Sequence, residues 1–195
     1  LGDEENMIKE MLDLIEDDSF YKNKVIKFFS ERINFNNKES SLYKKLKTEL
    51  LRKNQKNSDK IIYTELLIWL FLQSENYNAA LIQSIALDKR FRLNGEQVLK
   101  IGELSLNNKN YKAAKKAFSY VLTLGKQNEL YNWAERLSLK CLFLEITDTK
   151  QFTAQEIHHC INEYQKIIQK QGMNRKNLFL IIQLSDIYAF YANQA

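Results

Sequence analysis

Two six-residue stretches, Glu75-Asn76-Tyr77-Asn78-Ala79-Ala80 and Lys109-Asn110-Tyr111-Lys112-Ala113-Ala114, recur 34 residues apart, measured from Tyr77 to Tyr111. The flanking apolar positions obey the same offset: Leu67 with Ile101, Leu70 with Leu104, Leu72 with Leu106, and Leu87 with Val121. One short match could be accidental, but several apolar positions in one register are not. A period of this length leaves room for one supersecondary unit per repeat. Such a unit cannot bury its apolar face alone and must stack on a neighbour.

Composition decides which unit. The 195 residues hold no proline, where average usage would give roughly ten, and only 5 glycines. Helix formers are abundant and no stretch alternates in the manner of a strand, so the class is all-α. Apolar spacing and caps predict ten helices, over 3–17, 19–33, 39–53, 59–74, 77–91, 95–108, 111–124, 128–147, 153–171 and 175–193. Asn94, three residues before Gln97, reads as a helix cap, and Thr153 with Glu156 reads as a capping box. Gly125 and Gly172 suit the left-handed residue that closes a helix. Polar turns are expected at Asn34–Lys38 and Lys53–Asp59, and an extended turn from Ile146 to Phe152. The most apolar run, Ile61–Leu72, includes Thr64 and Glu65 and falls short of the ~20 residues a membrane span needs. It reads as a buried helix.

The repeat resembles the tetratricopeptide (TPR) family. Val98, Ile101, Gly102 and Ser105 stand at the spacing of that family's first-helix signature, and Ala114 with Phe118 at that of its second helix. In the preceding unit Leu67, Phe71, Tyr77, Ala80 and Leu87 fit, while Thr64, Ile68 and Ser84 depart from the pattern. Gly102 and Ala114 are small where paired helices approach. Phe118 and Val121 fill the seam to the next unit, and Tyr111 opens the second helix and packs back over the turn. The proline that often ends a TPR unit is missing, leaving the boundaries to Asn and Gly. The resemblance implies an α-α superhelix, a single TPR-like array over 1–195: irregular repeats over 1–60, the two best-matching units over 61–127, and longer helices over 128–195. It is similar to large bacterial TPR proteins in Leu66–Phe71 and Ala86–Arg90, and such relatives favour an exported, periplasmic location. Gly2-Asp3-Glu4 and Tyr191–Ala195 resemble mid-repeat turns, and the chain opens on Leu1 rather than Met. The expectation is therefore a piece of a longer array, able to self-associate through its uncovered end helices.

Little in the sequence suggests catalysis. His158 and His159 are adjacent on one helix and point about 100° apart, Cys160 beside them gives no ligand spacing, and no phosphate-cradling or nucleophile motif is present. No cofactor or metal is expected. Cys160 reads as a core residue with Ile157, Ile161 and Tyr164, and two cysteines make no disulfide framework. The net charge of +5 is scattered. The densest cations, Lys44-Lys45-Leu46-Lys47 with Arg52-Lys53, and Lys112 with Lys115-Lys116, read as solvated helix faces, which argues against a nucleic-acid stripe. Trp69 and Trp133 read as core residues, Trp69 the more open of the two to a ligand-facing role.

What the resemblance implies for function is a scaffold that binds another protein or peptide in the groove formed by its first helices. Projecting the repeat places Glu65, Trp69 and Gln73 on that surface in one unit, and Glu96, Leu99, Glu103 and Asn107 in the next. The Lys–Asn pair by which some TPR domains clamp a C-terminal carboxylate is missing, since Glu65, Trp69, Leu99 and Glu103 occupy those places. An acidic-to-neutral groove suits a basic or amphipathic partner. The competing readings are an RNA-binding helical repeat and a lipid-handling or accessory helical domain.

Overall fold

The computed structural model describes residues 2–149 and 152–191. Among these the chain is all-α, with ten α-helices and no strand. The helices are α1 (Gly2–Asp17), α2 (Lys22–Ser30), α3 (Ser41–Lys56), α4 (Ile61–Gln73), α5 (Tyr77–Phe91), α6 (Glu96–Asn107), α7 (Tyr111–Thr123), α8 (Tyr131–Thr149), α9 (Ala154–Gln171) and α10 (Leu178–Phe190). Two 3-10 turns, Ser19–Tyr21 and Arg175–Asn177, lead into α2 and α10. They split the longer helices expected at 19–33 and 175–193. The chain divides into two compact units, Leu1–Arg92 and Leu93–Ala195.

The 34-residue repeat is visible in the backbone as one turn built twice. In the first unit α4 ends with Asn76 N–H bonding Phe71 C=O at 2.8 Å and Glu75 N–H bonding Leu72 C=O at 3.1 Å. In the second, α6 ends with Asn110 N–H on Ser105 C=O at 2.8 Å and Lys109 N–H on Leu106 C=O at 3.0 Å. This is the Schellman closure, which satisfies carbonyls that a helix end leaves orphaned. It requires a left-handed residue, and Glu75 (φ 54°) and Lys109 (φ 58°) adopt it without being glycine. Each turn then starts the next helix at once: Asn76 caps α5 by accepting from Ala79 N–H, and Asn110 caps α7 by accepting from Ala113 N–H.

Packing explains the small residues. A Cβ on Gly102 would stand 2.7 Å from the Phe118 ring and 2.8 Å from the Ala117 Cβ, so α6 and α7 approach through a surface that admits no side chain there. Ala80, Ala114 and Phe118 are fully buried, and Tyr77 is nearly so. Tyr111, the first residue of α7, sends its hydroxyl onto Asp148 of α8. The core of the first unit is formed by Ile8, Leu12 and Ile15 of α1, Leu46 and Leu50 of α3, and Tyr63, Leu67 and Leu70 of α4. In the second unit Ile157, Cys160, Ile161 and Tyr164 of α9 pack with Leu139, Leu180 and Ile187.

Four local expectations are corrected. Asn94 does not cap α6: Asn94 (φ 60°) and Gly95 (φ 82°) are both left-handed and Gly95 is the cap residue. A residue so wound cannot aim its side chain at the helix start as an extended cap does. Gly2-Asp3-Glu4 is no turn but the first turn of α1, where Asp3, Glu4 and Glu5 favour the helix N-terminus. Ile146 is likewise helical and buried, because α8 runs to Thr149. Lys53 is buried at 9 % exposure instead of lying on a solvated face, since carboxylates of α1 converge on it. The capping box at Thr153 is present in full, with both reciprocal bonds to Glu156. Gly125 (φ 96°) and Gly172 (φ 77°) take positive φ. Of the turn expected at 191–195, residues 192–195 lie outside the described residues. No helix among the described residues is long and apolar enough to cross a membrane.

Candidate functional site

Three of the seven groove positions read from the repeat lie in the first unit and four in the second. In the first unit Glu65 and Trp69 are engaged by their own chain. Lys22, the first residue of α2, donates to Glu65 Oε2 at 2.6 Å. Phe35, in the turn beyond α2, meets the Trp69 ring edge-to-face, with centroids 5.7 Å apart and planes at 87°. Gln73 is exposed.

In the second unit Leu99 is buried at 4 % exposure and belongs to the core, a correction to its placement on the groove. A leucine among Val98, Ile101 and Gly102 gains more by facing its own hairpin than by facing water. Glu96 is exposed and paired with Lys100 at 2.6 Å, one turn along. Glu103 and Asn107 do share a cleft. Leu106 joins them from α6, Trp133, Leu137 and Lys140 line it from α8, and Phe179 and Gln183 from α10. Helices α6 and α8 open successive hairpins and α10 follows α9, and one side of each lines the same recess. The seven-residue step from Trp133 to Lys140 spans about 10 Å along α8.

Trp133 reverses the sequence expectation. It is 37 % exposed, and its indole N–H donates to Glu103 Oε1 at 2.8 Å. The Arg136 guanidinium lies 5.1 Å from its ring centroid, a cation–π contact. Arg136 is itself held by Gln171 Oε1 at 3.0 Å. Gln171 in turn donates to Glu135 at 2.8 Å, which also pairs with Lys170 at 2.8 Å. The indole is thus braced from behind and presented to the cleft. Gln183 is braced too, since the Tyr164 hydroxyl lies 2.9 Å from its Oε1, leaving its N–H groups for other acceptors. Glu103 meets no cation and Lys140 no carboxylate among the described residues. Trp133 and Leu137 could have been found by continuing the register, because they stand 34 residues after Leu99 and Glu103, whereas Lys140 falls in register with Leu106, which was not among the groove positions. Phe179 and Gln183 carried no such signal.

Elsewhere several charged groups are paired within the chain. Lys53 binds Glu16 Oε2 at 2.9 Å and also Asp13, while Lys60 and the Tyr63 hydroxyl reach Glu16 as well. Hydrogen bonds from Lys60, then Tyr63 and Lys53, hold the Glu16 carboxyl down at about 2. Burial, then the Glu16 contact, pushes the Tyr63 phenol up to about 12. In the cationic stretch of α3, Lys44 pairs with Glu39, Lys45 with Glu4 and Arg52 with Glu49. On α7, Lys115 pairs with Glu145. Cys141 and Cys160 are buried, and burial pushes each thiol up to about 12, where it is neither a nucleophile nor a ready ligand. His158 and His159 are exposed, and no group of three His, Cys, Asp or Glu among the described residues could hold a metal ion.

Comparison with protein-family models, with curated proteins and with solved structures finds no match to this chain.

Proposed function

We propose that this chain is a protein-interaction module of the tetratricopeptide type, which holds a segment of another protein in the cleft lined by α6, α8 and α10. The observation that carries the reading is Trp133. A large aromatic ring is locked by Glu103 on one side and Arg136 on another, yet left open over an apolar floor of Leu106, Leu137 and Phe179. Preorganised aromatics of this kind supply contact area at low entropic cost and dominate protein interfaces. The repeated turn supports the family assignment, and the pairing of Lys44, Lys45 and Lys53 with carboxylates of the same chain favours a protein partner over a polyanion.

The reading is tested by selecting a phage-displayed library of random 14-residue peptides against the folded chain. Trp133→Ala and Asn107→Ala are expected to abolish binding of the enriched peptides while circular dichroism stays helical. Lys112→Ala, on the exposed face of α7, leaves binding intact. Enrichment of no peptide, or of peptides indifferent to Trp133→Ala, would overturn the proposal.

A further inference from the structure

The first unit shows how an acid–tryptophan pair on a first helix is covered. On α4, Glu65 and Trp69 stand one turn apart, and the segment made of α2 and its following turn lays a cation on the acid and an aromatic edge on the indole, through Lys22 and Phe35. The second unit repeats the pair, split between neighbouring first helices: Glu103 on α6 and Trp133 on α8, tied by the 2.8 Å hydrogen bond. Nothing in the chain covers it among the described residues. Glu103 keeps its second carboxylate oxygen for a cation. Two turns along α8, Lys140 meets no carboxylate among the described residues.

We infer that the cleft takes an amphipathic helix of a partner protein that sets an aromatic ring against Trp133, a Lys or Arg on Glu103, and an Asp or Glu on Lys140. The inference rests on the cleft being the binding site and adds the chemistry of what it selects. A helix is the fitting shape because Trp133, whose indole holds Glu103, and Lys140 stand about two helical turns apart along α8. A helical stripe bearing a cation, an aromatic residue and an anion over seven residues matches that spacing. The internal segment that covers the pair in the first unit supplies its cation from α2, through Lys22, and its aromatic edge from the turn beyond, through Phe35. The partner's ring has the outer side of the indole, since Arg136 already occupies one of its faces.

The test uses two synthetic 16-residue helix-forming peptides and isothermal titration against the whole chain. One carries Lys, Phe and Glu along a single stripe; in the other Gln replaces both charged residues. Two part-exposed ion pairs of ordinary strength predict about fivefold tighter binding of the charged peptide. Glu103→Gln and Lys140→Gln should each remove about half of that advantage on a logarithmic scale, read for each variant as the ratio of its affinities for the charged and the neutral peptide. Phe→Ala in the peptide should weaken binding about tenfold. Equal affinities for the charged and neutral peptides, both still lost on Trp133→Ala, would overturn the inference and leave the cleft standing as the binding site. No Trp133-dependent binding of either peptide would remove both.

Discussion

Helices α4 and α6 open hairpins in the same repeat register and end in the same turn, yet their outer faces meet opposite fates. On α4 the chain fills the face itself: Lys22 neutralises Glu65 and Phe35 covers Trp69. On α6 the equivalent side is left to a cleft, where Trp133 stays 37 % exposed and Glu103 accepts from its indole N–H and meets no cation among the described residues. The units also differ in what ties their helices. The first relies on an ionic knot of Glu16, Asp13, Lys53, Lys60 and Tyr63. The second relies on close apolar approach, with Gly102 beneath Phe118. One repeat frame therefore serves a first-helix face that the chain fills itself and one that it leaves open. The difference lies in which side chains the neighbouring segments supply.

The strongest way to break this comparison is to truncate the two tryptophans. Trp69→Ala removes a half-buried ring packed on Phe35 and is expected to cost about 3 kcal/mol, the low end for a core aromatic. Trp133→Ala should cost about 1 kcal/mol or less, because its ring contributes area to a cleft more than to a core. Urea unfolding of both variants measures the difference, and equal losses would show that Trp133 is as structural as Trp69.

Next in size is the ionic knot. Lys53→Met leaves Glu16 and Asp13 without their shared cation and is expected to cost about 2 kcal/mol, less than a fully enclosed pair because Asp13 is open to water. The knot also predicts an acid limb. Glu16 titrates at about 2 in the fold against an ordinary 4.5, so its contribution is complete above pH 4.5 and disappears as the pH falls towards 2. Thermal melts across that window should fall for the natural chain, and fall less for Glu16→Gln, which lacks the limb at every pH. Identical slopes would mean that the knot contributes nothing.

In the second unit, Gly102→Ala sets helix propensity against space. Alanine gains about 1 kcal/mol in a helix interior, but its Cβ meets Phe118 and Ala117 below 3 Å. Overpacking is expected to win, with a net loss of about 1 kcal/mol in chemical denaturation. A more stable variant would show that α6 and α7 can part without cost. The smallest effect tests what the units share. Glu75→Gly and Lys109→Gly relieve a left-handed non-glycine residue at the same point of the same turn, and each should raise stability by about 0.5–1 kcal/mol. A gain in one and a loss in the other would show that the two turns are alike only in outline.

The residues of the first unit that depart from the repeat share a pattern. Ile68 and Ser84 looked like departures from the repeat, but each stands 34 residues before Gly102 and Phe118. The first unit carries large then small where the second carries small then large, which preserves volume across the hairpin. Thr64, the third departure, is buried and donates to Asn54 Oδ1 at 2.6 Å. Ser84 keeps a buried hydroxyl with no partner, a polar cost that the structure does not explain.

The sequence alone determined the all-α class, the number of helices and their approximate bounds, the capping box at Thr153, and the repeated hairpin with its Asn-capped turn. These depend on contacts within a few residues: backbone bonds from i to i+3, i+4 or i+5, caps three residues long, and apolar faces of period 3.6. Glu65, Trp69, Gln73, Glu96, Glu103 and Asn107 were legible as first-helix positions outside the core for the same reason, and Leu99 was not. Tertiary structure decided which of those surfaces stay open. Lys22 lies 43 residues from Glu65, Trp133 lies 30 from Glu103, and Asp13 lies 40 from Lys53. No local pattern encodes such pairings, because whether a side chain faces water or a partner is settled by helices that arrive from elsewhere in the chain.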